Sequence, residues 1–207
     1  MARVTKDPQI RMAEILDAAK RLFNAQGYHE TQVSDIVKEI GVAQGTFYYY
    51  FKSKDEVLEA VVRQQLSEII AEIESFTAIG SITAPRKMEL IVSAILKNIR
   101  GQNGLLFEYL HNDRYVHILD KIGRQGEELA CPILLKIVKE GVEEGNFAVA
   151  RPEETIGFIL AIVHCLIDSL YKPCTEDHLA YRLEIAGRLV ETALGAPAGM
   201  LRFSVSE

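Results

Sequence analysis

The residues best suited to binding chemistry lie between Val33 and Lys54, in a segment that reads VSDIVKEIGVAQGTFYYYFKSK. From Val33 onward, apolar side chains recur at the i, i+3, i+4, i+7 spacing of one buried helical stripe, and Gly41 follows as a helix end. A second short helix carries Phe47 and Phe51, four residues apart, on its inner side. The segment therefore predicts two short helices joined by a tight turn.

The outward face of the second helix carries side chains that suit a DNA duplex. Gln44 can pair with an adenine edge, and Thr46 can bond a base or a phosphate. The hydroxyls of Tyr48 and Tyr49 can reach phosphate oxygens, and Gly45 lets the backbone come close. An ordinary three-helix corner needs the same inner residues but not this polar and aromatic outer face. We therefore expect a helix-turn-helix that binds DNA.

A further helix begins immediately after this face. Ser53 and Glu56 have the S-x-x-E spacing of a capping box, which places the start of the helix at this serine. The free amides of its first turn and the Lys54 ammonium would lie beside the same surface, where they could grip a phosphate.

Residues from about Ile10 to Leu58 resemble the DNA-binding domain of the tetracycline-repressor (TetR/AcrR) family of bacterial regulators. The resemblance rests on the Gly27-Tyr28 break, Gly41-Val42, the run Gly45 to Phe51 and Lys52-Ser53-Lys54. It implies a dimeric regulator whose DNA contacts are Thr31, Gln32, Ser34, Gln44, Gly45, Thr46, Tyr48, Tyr49 and Lys54.

The composition is that of a folded protein. The net negative charge argues against a chain that binds nucleic acids without sequence specificity through a surface coated with basic residues. The 207 residues are 48% hydrophobic, and the net charge is −6. Through Lys54 there are eight Lys and Arg side chains against six Asp and Glu, whereas the remainder has fifteen against twenty-three. The acidity therefore belongs to the larger, C-terminal part.

Cysteine usage and hydropathy favour a cytoplasmic protein that does not cross a membrane. Cys131, Cys165 and Cys174 form no C-x-x-C pair, and no apolar leader precedes Ile10. The most apolar run, residues 156–167, is shorter than the roughly 20 residues that a membrane helix needs. The His and Cys spacings are not those of a zinc site, and no catalytic or phosphate-binding motif is evident. We expect no metal, no cofactor and no enzyme activity.

Helical periodicity continues almost to the end of the chain and predicts an all-α protein. We expect an N-terminal three-helix DNA-binding domain over residues 8–54, with the helix-turn-helix at about 32–51. A helical regulatory and dimerisation domain follows over 55–195, and a tail over 196–207. A long helix from Ser53 to about Phe76 would connect the two domains.

The last two helices carry apolar residues that suit pairing with a second copy of the chain. Two such helices from each of two chains would form a four-helix bundle across a two-fold axis, as the family resemblance also implies. The predicted interface residues are Phe158, Ala161, Ile162, Cys165, Leu183, Ala186, Val190 and Leu194.

The leading functional hypothesis is a homodimeric repressor that a small hydrophobic or amphipathic ligand releases from a palindromic operator on double-stranded DNA. Candidate pocket residues are polar or aromatic side chains within apolar segments: Phe107, Tyr109, His111, Tyr115, His117, His164 and Asp168. Core packing would explain the same residues, and His164 with Asp168 could instead be a pair on a helix surface. One alternative is a dimeric regulator controlled by a partner or by its own concentration. The other is a helical enzyme fused to a DNA reader.

Overall fold

The computed structural model describes residues 7–100, 116–170 and 176–204, and it describes no side chain at 99, 100, 116–121, 170 or 176. Those residues form eight α-helices and no β-strand, which confirms the predicted all-α class. The helices are α1 Pro8–Gln26, α2 Val33–Glu39, α3 Gln44–Tyr50, α4 Lys54–Thr77, α5 Ala84–Arg100, α6 Val116–Glu143, α7 Pro152–Leu170 and α8 Glu176–Leu194.

The chain divides into two compact units, and one of the boundaries between them falls along α4, between Gln65 and Leu66. The predicted long helix from Ser53 to about Phe76 is confirmed, since α4 extends from Lys54 to Thr77. This helix contributes residues to both units. The first unit extends past the predicted boundary at Lys54, because the early turns of α4 are part of it. Val57 and Leu58 in those turns are fully buried.

The helices α1, α2 and α3 contribute most of the core of the first unit. The helix α1 begins with Asp7 as its N-cap, whose carboxylate accepts from the Gln9 amide at 2.8 Å, and Pro8 fills the first turn. Its inner face packs against α2, and α2 packs against α3. The buried side chains of these three helices include Ile15, Ala18, Ala19, Phe23, Ile36, Val37 and Phe47.

The second unit has its own apolar core, to which every one of its helices contributes. The helices α7 and α8 pack along each other, and α5 packs on α7. Removing this aliphatic surface from water is the main driving force for folding the unit. Its most deeply buried members are Ile73, Ala84, Met88, Leu96, Ile137, Val138, Ile156, Ile159, Val190 and Leu194.

A buried ion pair joins α5 to α6 within the second unit. The Lys87 side chain is only 2% exposed, and its ammonium pairs with the Glu140 carboxylate. Glu144, the residue that follows the end of α6, accepts a hydrogen bond from the Ala84 backbone amide at 3.0 Å and so caps the start of α5. Two carboxylates at the C-terminal end of α6 thus hold the N-terminal end of α5.

The tail after α8 folds back onto the second unit through residue 204. Leu201 and Phe203 are buried, and the Leu201 amide donates to the buried Glu191 carboxylate at 2.8 Å. The Leu201 carbonyl lies so close to Gly187 on α8 that a Cβ there would be 3.0 Å from it. The tail is therefore part of the core, a point on which the sequence carries no clear signal.

Candidate nucleic-acid interface

The turn between α2 and α3 is built around Gly41, as predicted. Gly41 has φ 69°, its amide donates to the Lys38 carbonyl at 3.2 Å, and the Val42 amide donates to the Val37 carbonyl at 3.0 Å. These two bonds are a Schellman motif, which satisfies the free carbonyls at the end of a helix and requires a residue that tolerates positive φ. The motif sets the direction in which α3 leaves α2.

The short helix α3 has a sealed inner face and an open outer face. Phe47 is 0% exposed and Phe51 is 5% exposed, whereas Tyr48 is 52% exposed and Tyr49 is 78% exposed. The predicted orientation is confirmed: the two phenylalanines pack inside, and the two tyrosines point to solvent. Phe47 lies edge-on to Tyr48, with ring centroids 5.4 Å apart, so the inner ring supports the outer one.

The first turn of α3 presents a polar surface with room for a close partner. Gln44 and Gly45 are exposed, and Thr46 is half-buried. A Cβ added at Gly45 would meet no atom of the chain within 4 Å. The chain itself therefore does not need a glycine there, and in a helix an alanine would be the more stabilising residue. A glycine at this position leaves space for a partner molecule to approach closely, and the sugar-phosphate backbone of a duplex would fit this space.

The start of α2 adds two exposed side chains to this unit. The Gln32 amide donates to the Asp35 carboxylate at 2.8 Å, which fixes the N-terminus of the helix. The side chains of Gln32 and Ser34 are exposed, and the Ser34 hydroxyl donates to the Gln32 amide oxygen at 3.4 Å. Both residues remain predicted DNA contacts.

Thr31 was expected to contact DNA, and the structure shows this prediction to be wrong. Its side chain is fully buried, and its hydroxyl donates to the Gly27 carbonyl at 2.7 Å and accepts from the Gln26 side-chain amide at 3.3 Å. The threonine closes the end of α1 instead of facing outward.

Lys54 remains a predicted phosphate contact, and its ammonium also bonds backbone carbonyls of the same unit. Its ammonium donates to the Tyr28 carbonyl at 2.6 Å, to the Thr31 carbonyl at 2.8 Å and to the His29 carbonyl at 3.4 Å. It also lies 4.1 Å from the centre of the Tyr28 ring. An ammonium has three donors, and the contact to His29, at 3.4 Å, is the longest of the three. By contrast, the side chain of Lys52, two residues earlier, is exposed.

Most of the predicted ligand-pocket residues cannot be placed. Phe107, Tyr109, His111 and Tyr115 lie outside the described residues, and the side chain of His117 is likewise not described. His164 and Asp168 are described, and their assignment to a pocket is wrong. Both side chains are on the outside of α7, 65% and 61% exposed, with Nε2 of the histidine 4.0 Å from Oδ1 of the aspartate. They are the surface pair that the sequence left open as the alternative.

The predicted dimer residues on α7 lie largely on its exposed side. Phe158 is 72% exposed, and Ala161 and Cys165 are also exposed, whereas Ile162 is half-buried and packs against the core. An exposed phenylalanine at this position has no role in the core of its own chain. It remains a predicted interface residue.

On α8 the predicted dimer residues are on the wrong side of the helix. Leu183, Ala186, Val190 and Leu194 are at most 6% exposed and belong to the core of the single chain. They therefore cannot form an exposed pairing face. The exposed apolar side chains of α8 are instead Tyr181, Ile185 and Leu189, which recur every four residues at 62%, 38% and 51% exposure.

The described part of the chain also bears on metal binding and on membrane crossing. Within it, no three His, Cys, Asp or Glu side chains are grouped so that they could hold a metal ion. None of its helices combines the length and the apolar character that crossing a membrane requires.

Residues 15–61 match the model of the family described as bacterial regulatory proteins, tetR family. The chain is 33% identical over 100 residues to the fatty acid metabolism regulator protein of Bacillus subtilis (strain 168), an alignment that covers 48% of this chain and 51% of that regulator. It thus spans about half the length of that relative. It is 25% identical over 144 residues to the transcriptional repressor KstR2 of Rhodococcus jostii (strain RHA1), covering 66% of this chain and 68% of the repressor.

Among solved structures, the fold is similar to that of the transcriptional regulator FadR from Bacillus subtilis in complex with stearoyl-CoA. The TM-score is 0.62 at 24% identity, and the match covers 88% of this chain and 97% of FadR. At that identity the likeness concerns the fold.

The outward-facing helix α3 lies inside the segment that matches the family model, so the N-terminal unit carries a helix-turn-helix similar to that of the tetR family. Over most of its length the chain is similar in fold to solved transcriptional regulators.

Proposed function

We propose that the chain is a homodimeric repressor that binds a nearly palindromic operator and leaves it when a small hydrophobic or amphipathic ligand binds. The observation that carries the DNA-binding part is the exposure of Tyr48 and Tyr49 on a helix whose inner face is closed by Phe47. Similarity to KstR2, which is named as a repressor, supports repression rather than activation. The site of action is the cytoplasm, where a bacterial regulator meets its DNA.

The proposed contacts to the duplex are those predicted side chains that are open to solvent or partly so. Gln44 and Thr46 would read base edges, and the two exposed tyrosines would bond phosphates. Lys52 is the exposed cation nearest to α3 in sequence, and we propose that it binds a phosphate as Lys54 does. The proposed contacts are Gln32, Ser34, Gln44, Gly45, Thr46, Tyr48, Tyr49, Lys52 and Lys54.

Two copies are needed because one recognition helix contacts too few base pairs to identify a single site in a genome. Half-sites about 34 Å apart, or a near multiple of that distance, would let two copies bind one face of the duplex. The proposed pairing surface consists of the exposed apolar side chains of α7 and α8: Phe158, Ala161, Cys165, Tyr181, Ile185 and Leu189. A surface of this kind, exposed on a single chain, favours association with an identical chain through a two-fold axis.

Ligand control is proposed because a single helix belongs to both units. The helix α4 starts next to α3 and continues into the second unit, so a ligand that shifts its second half would also shift its first turn. A ligand changes operator affinity only through its different affinities for the two arrangements. Long-chain acyl-CoA is the first class to test, given the name of the fatty acid metabolism regulator and the stearoyl-CoA bound to FadR.

The test uses a selected operator, by which we mean the duplex that the wild-type chain enriches from a random-sequence library. Its Kd is measured by fluorescence anisotropy with and without stearoyl-CoA, and free coenzyme A serves as the control. We expect stearoyl-CoA to weaken binding by roughly 5- to 150-fold, the usual range of allosteric coupling, and coenzyme A to have no effect.

Equal affinities with and without stearoyl-CoA would exclude acyl-CoA as the inducer and leave DNA binding in place. If a wider panel of drugs, lipids and aromatic metabolites also had no effect, the regulator without a small-molecule ligand would be favoured. Release of free coenzyme A from stearoyl-CoA during the assay would instead favour the enzyme alternative.

A further inference from the structure

The last described residues of the chain form an arm that runs back over the second unit. Leu201 and Phe203 are buried, whereas the Arg202 side chain between them is exposed. This alternation is typical of an extended segment that lies with one side against a surface. We call residues 201–204 the strap. The strap is bonded to two helices of the unit, α8 and α5.

On α8 the strap lies against a buried carboxylate and a glycine. The Leu201 amide donates at 2.8 Å to the carboxylate of Glu191, a residue only 3% exposed. Four residues earlier, a Cβ on Gly187 would lie 3.0 Å from the Leu201 carbonyl oxygen. A glycine inside a helix is less stabilising than an alanine, and here it lets the strap approach the helix backbone closely. The helix α8 thus accommodates the strap at two positions one turn apart.

On α5 the strap is held at two positions that are also one turn apart. The Arg202 amide donates to Oε1 of Glu89 at 2.7 Å, and the Ser93 hydroxyl donates to the Ser204 carbonyl at 3.0 Å. The other oxygen of Glu89, Oε2, pairs with Arg86 at 2.7 Å, so the strap and the arginine use different atoms of one carboxylate. The strap thus bonds α5 and α8 at the same time and restrains the distance between them.

We propose that the docked strap positions α8 for pairing with a second copy of the chain, so that strap docking and dimer formation favour each other. Ile185 and Leu189, which belong to the proposed pairing surface, alternate along α8 with Gly187 and Glu191, which hold the strap. A rotation or shift of these turns would displace both sets of residues together. The inference rests on the proposed homodimer but not on the identity of the operator or of the ligand.

Coupling of this kind is reciprocal, which provides a test on the unmodified chain. If the docked strap favours the dimer by a given factor, the dimer favours the docked strap by the same factor. Hydrogen exchange of the Leu201 amide reports release of the strap, because this amide is bonded to a buried carboxylate. We expect its exchange to be slower by roughly 5- to 150-fold at a concentration where the chain is mainly dimeric than at one where it is mainly monomeric. The same exchange rate at both concentrations would overturn the proposal.

Detaching the strap is expected to weaken the dimer. The double variant Leu201→Ser with Phe203→Ser loses both buried anchors, and the Kd of its dimer, measured by analytical ultracentrifugation, is expected to rise by roughly 5- to 150-fold. The matched control, Arg202→Ser, removes the exposed side chain between the anchors, keeps the backbone amide and is expected to leave the Kd unchanged. A folded double variant that dimerises as strongly as the wild type would show that the strap only stabilises the single chain.

Changes on α5 cover the case in which the double variant does not fold. This helix contributes no residue to the proposed pairing surface, so a change at Glu89 touches no pairing residue directly. Glu89→Ala removes the acceptor of the Arg202 amide, whereas Glu89→Gln keeps a carbonyl oxygen in its place and Arg86→Ala removes only the ion pair. We expect the Kd of the dimer to rise for Glu89→Ala alone, by about fivefold. Equal values for Glu89→Ala and Arg86→Ala would contradict a positioning role of the strap.

The wild-type chain separates failure of this inference from failure of the proposed function. A wild-type chain that stays monomeric at micromolar concentration would reject the proposed homodimer itself. A wild-type dimer whose Kd is the same with and without a docked strap would reject the positioning role alone.

Discussion

Replacing Phe158 with arginine is expected to convert the dimer into a monomer and to weaken binding to the selected operator by roughly 100-fold or more. The Phe158 side chain is 72% exposed on a single chain and is the most exposed large apolar side chain of the proposed pairing surface. Each chain of a dimer would contribute one new charge, so two arginines would lie near the two-fold axis without partners. Two linked binding units typically gain about 10²- to 10⁴-fold in avidity over one unit, and the monomer loses that gain.

Sedimentation velocity and operator titration measure the two parts of this prediction separately. The matched control is Leu129→Arg. It places the same charge at a different exposed apolar residue, which lies on α6 outside the proposed surface. It is expected to remain dimeric and to bind the operator normally. A Phe158→Arg chain that remains a dimer at micromolar concentration would show that the pairing surface lies elsewhere.

Removing the Glu140 carboxylate is expected to have the largest effect on stability. Glu140→Ala leaves the Lys87 ammonium, whose side chain is 2% exposed, in the core without its ion-pair partner. Breaking a buried pair from one side costs about 3 to 5 kcal/mol in unfolding free energy. Because the Glu140 side chain is itself 29% exposed, water can replace part of the lost interaction, and we expect a value near 3 kcal/mol. The measurement is the midpoint and slope of urea unfolding.

Two further variants identify the cause of that loss. Glu143→Ala removes an exposed carboxylate from the same part of α6 and is expected to change stability by less than about 0.5 kcal/mol. Lys87→Met removes the buried charge itself and is expected to cost much less than Glu140→Ala, because apolar replacements of buried ions are often neutral. If Glu140→Ala were as harmless as Glu143→Ala, the ion pair would contribute nothing to stability.

The helices could be predicted from the sequence because their signals are local. Apolar spacing and end residues determine most of the bounds, as with the helix end at Gly41 and the proline and acids that start α7 at Pro152. The outward direction of Tyr48 and Tyr49 follows from Phe47 and Phe51, which occupy the inner face of the same short helix.

The DNA-contact prediction for Thr31 failed because the partner of this residue is a backbone carbonyl. Thr31 bonds the Gly27 carbonyl at the end of α1, and such a partner leaves no signature in side-chain identity. The sequence therefore does not distinguish a polar side chain that points to the ligand from one that points back into its own chain.

The dimer prediction failed on α8 because this helix carries two apolar stripes. One stripe contains Val190 and Leu194, and the other contains Tyr181, Ile185 and Leu189. Both have helical spacing, so periodicity alone does not say which one faces the core of its own chain. That choice depends on how α8 packs against α7, which is a tertiary effect.

DNA recognition by the outer face of α3 is tested most directly by selecting duplexes from a random-sequence library with the wild-type chain. We expect enrichment of an inverted repeat whose half-sites are centred about one helical turn apart, or a near multiple of it. We also expect that a chain with Tyr48→Ala and Tyr49→Ala enriches nothing while remaining folded and dimeric. Failure of the wild type to enrich any sequence, or the same enrichment by the double variant, would contradict the claim that the outer face of α3 reads DNA.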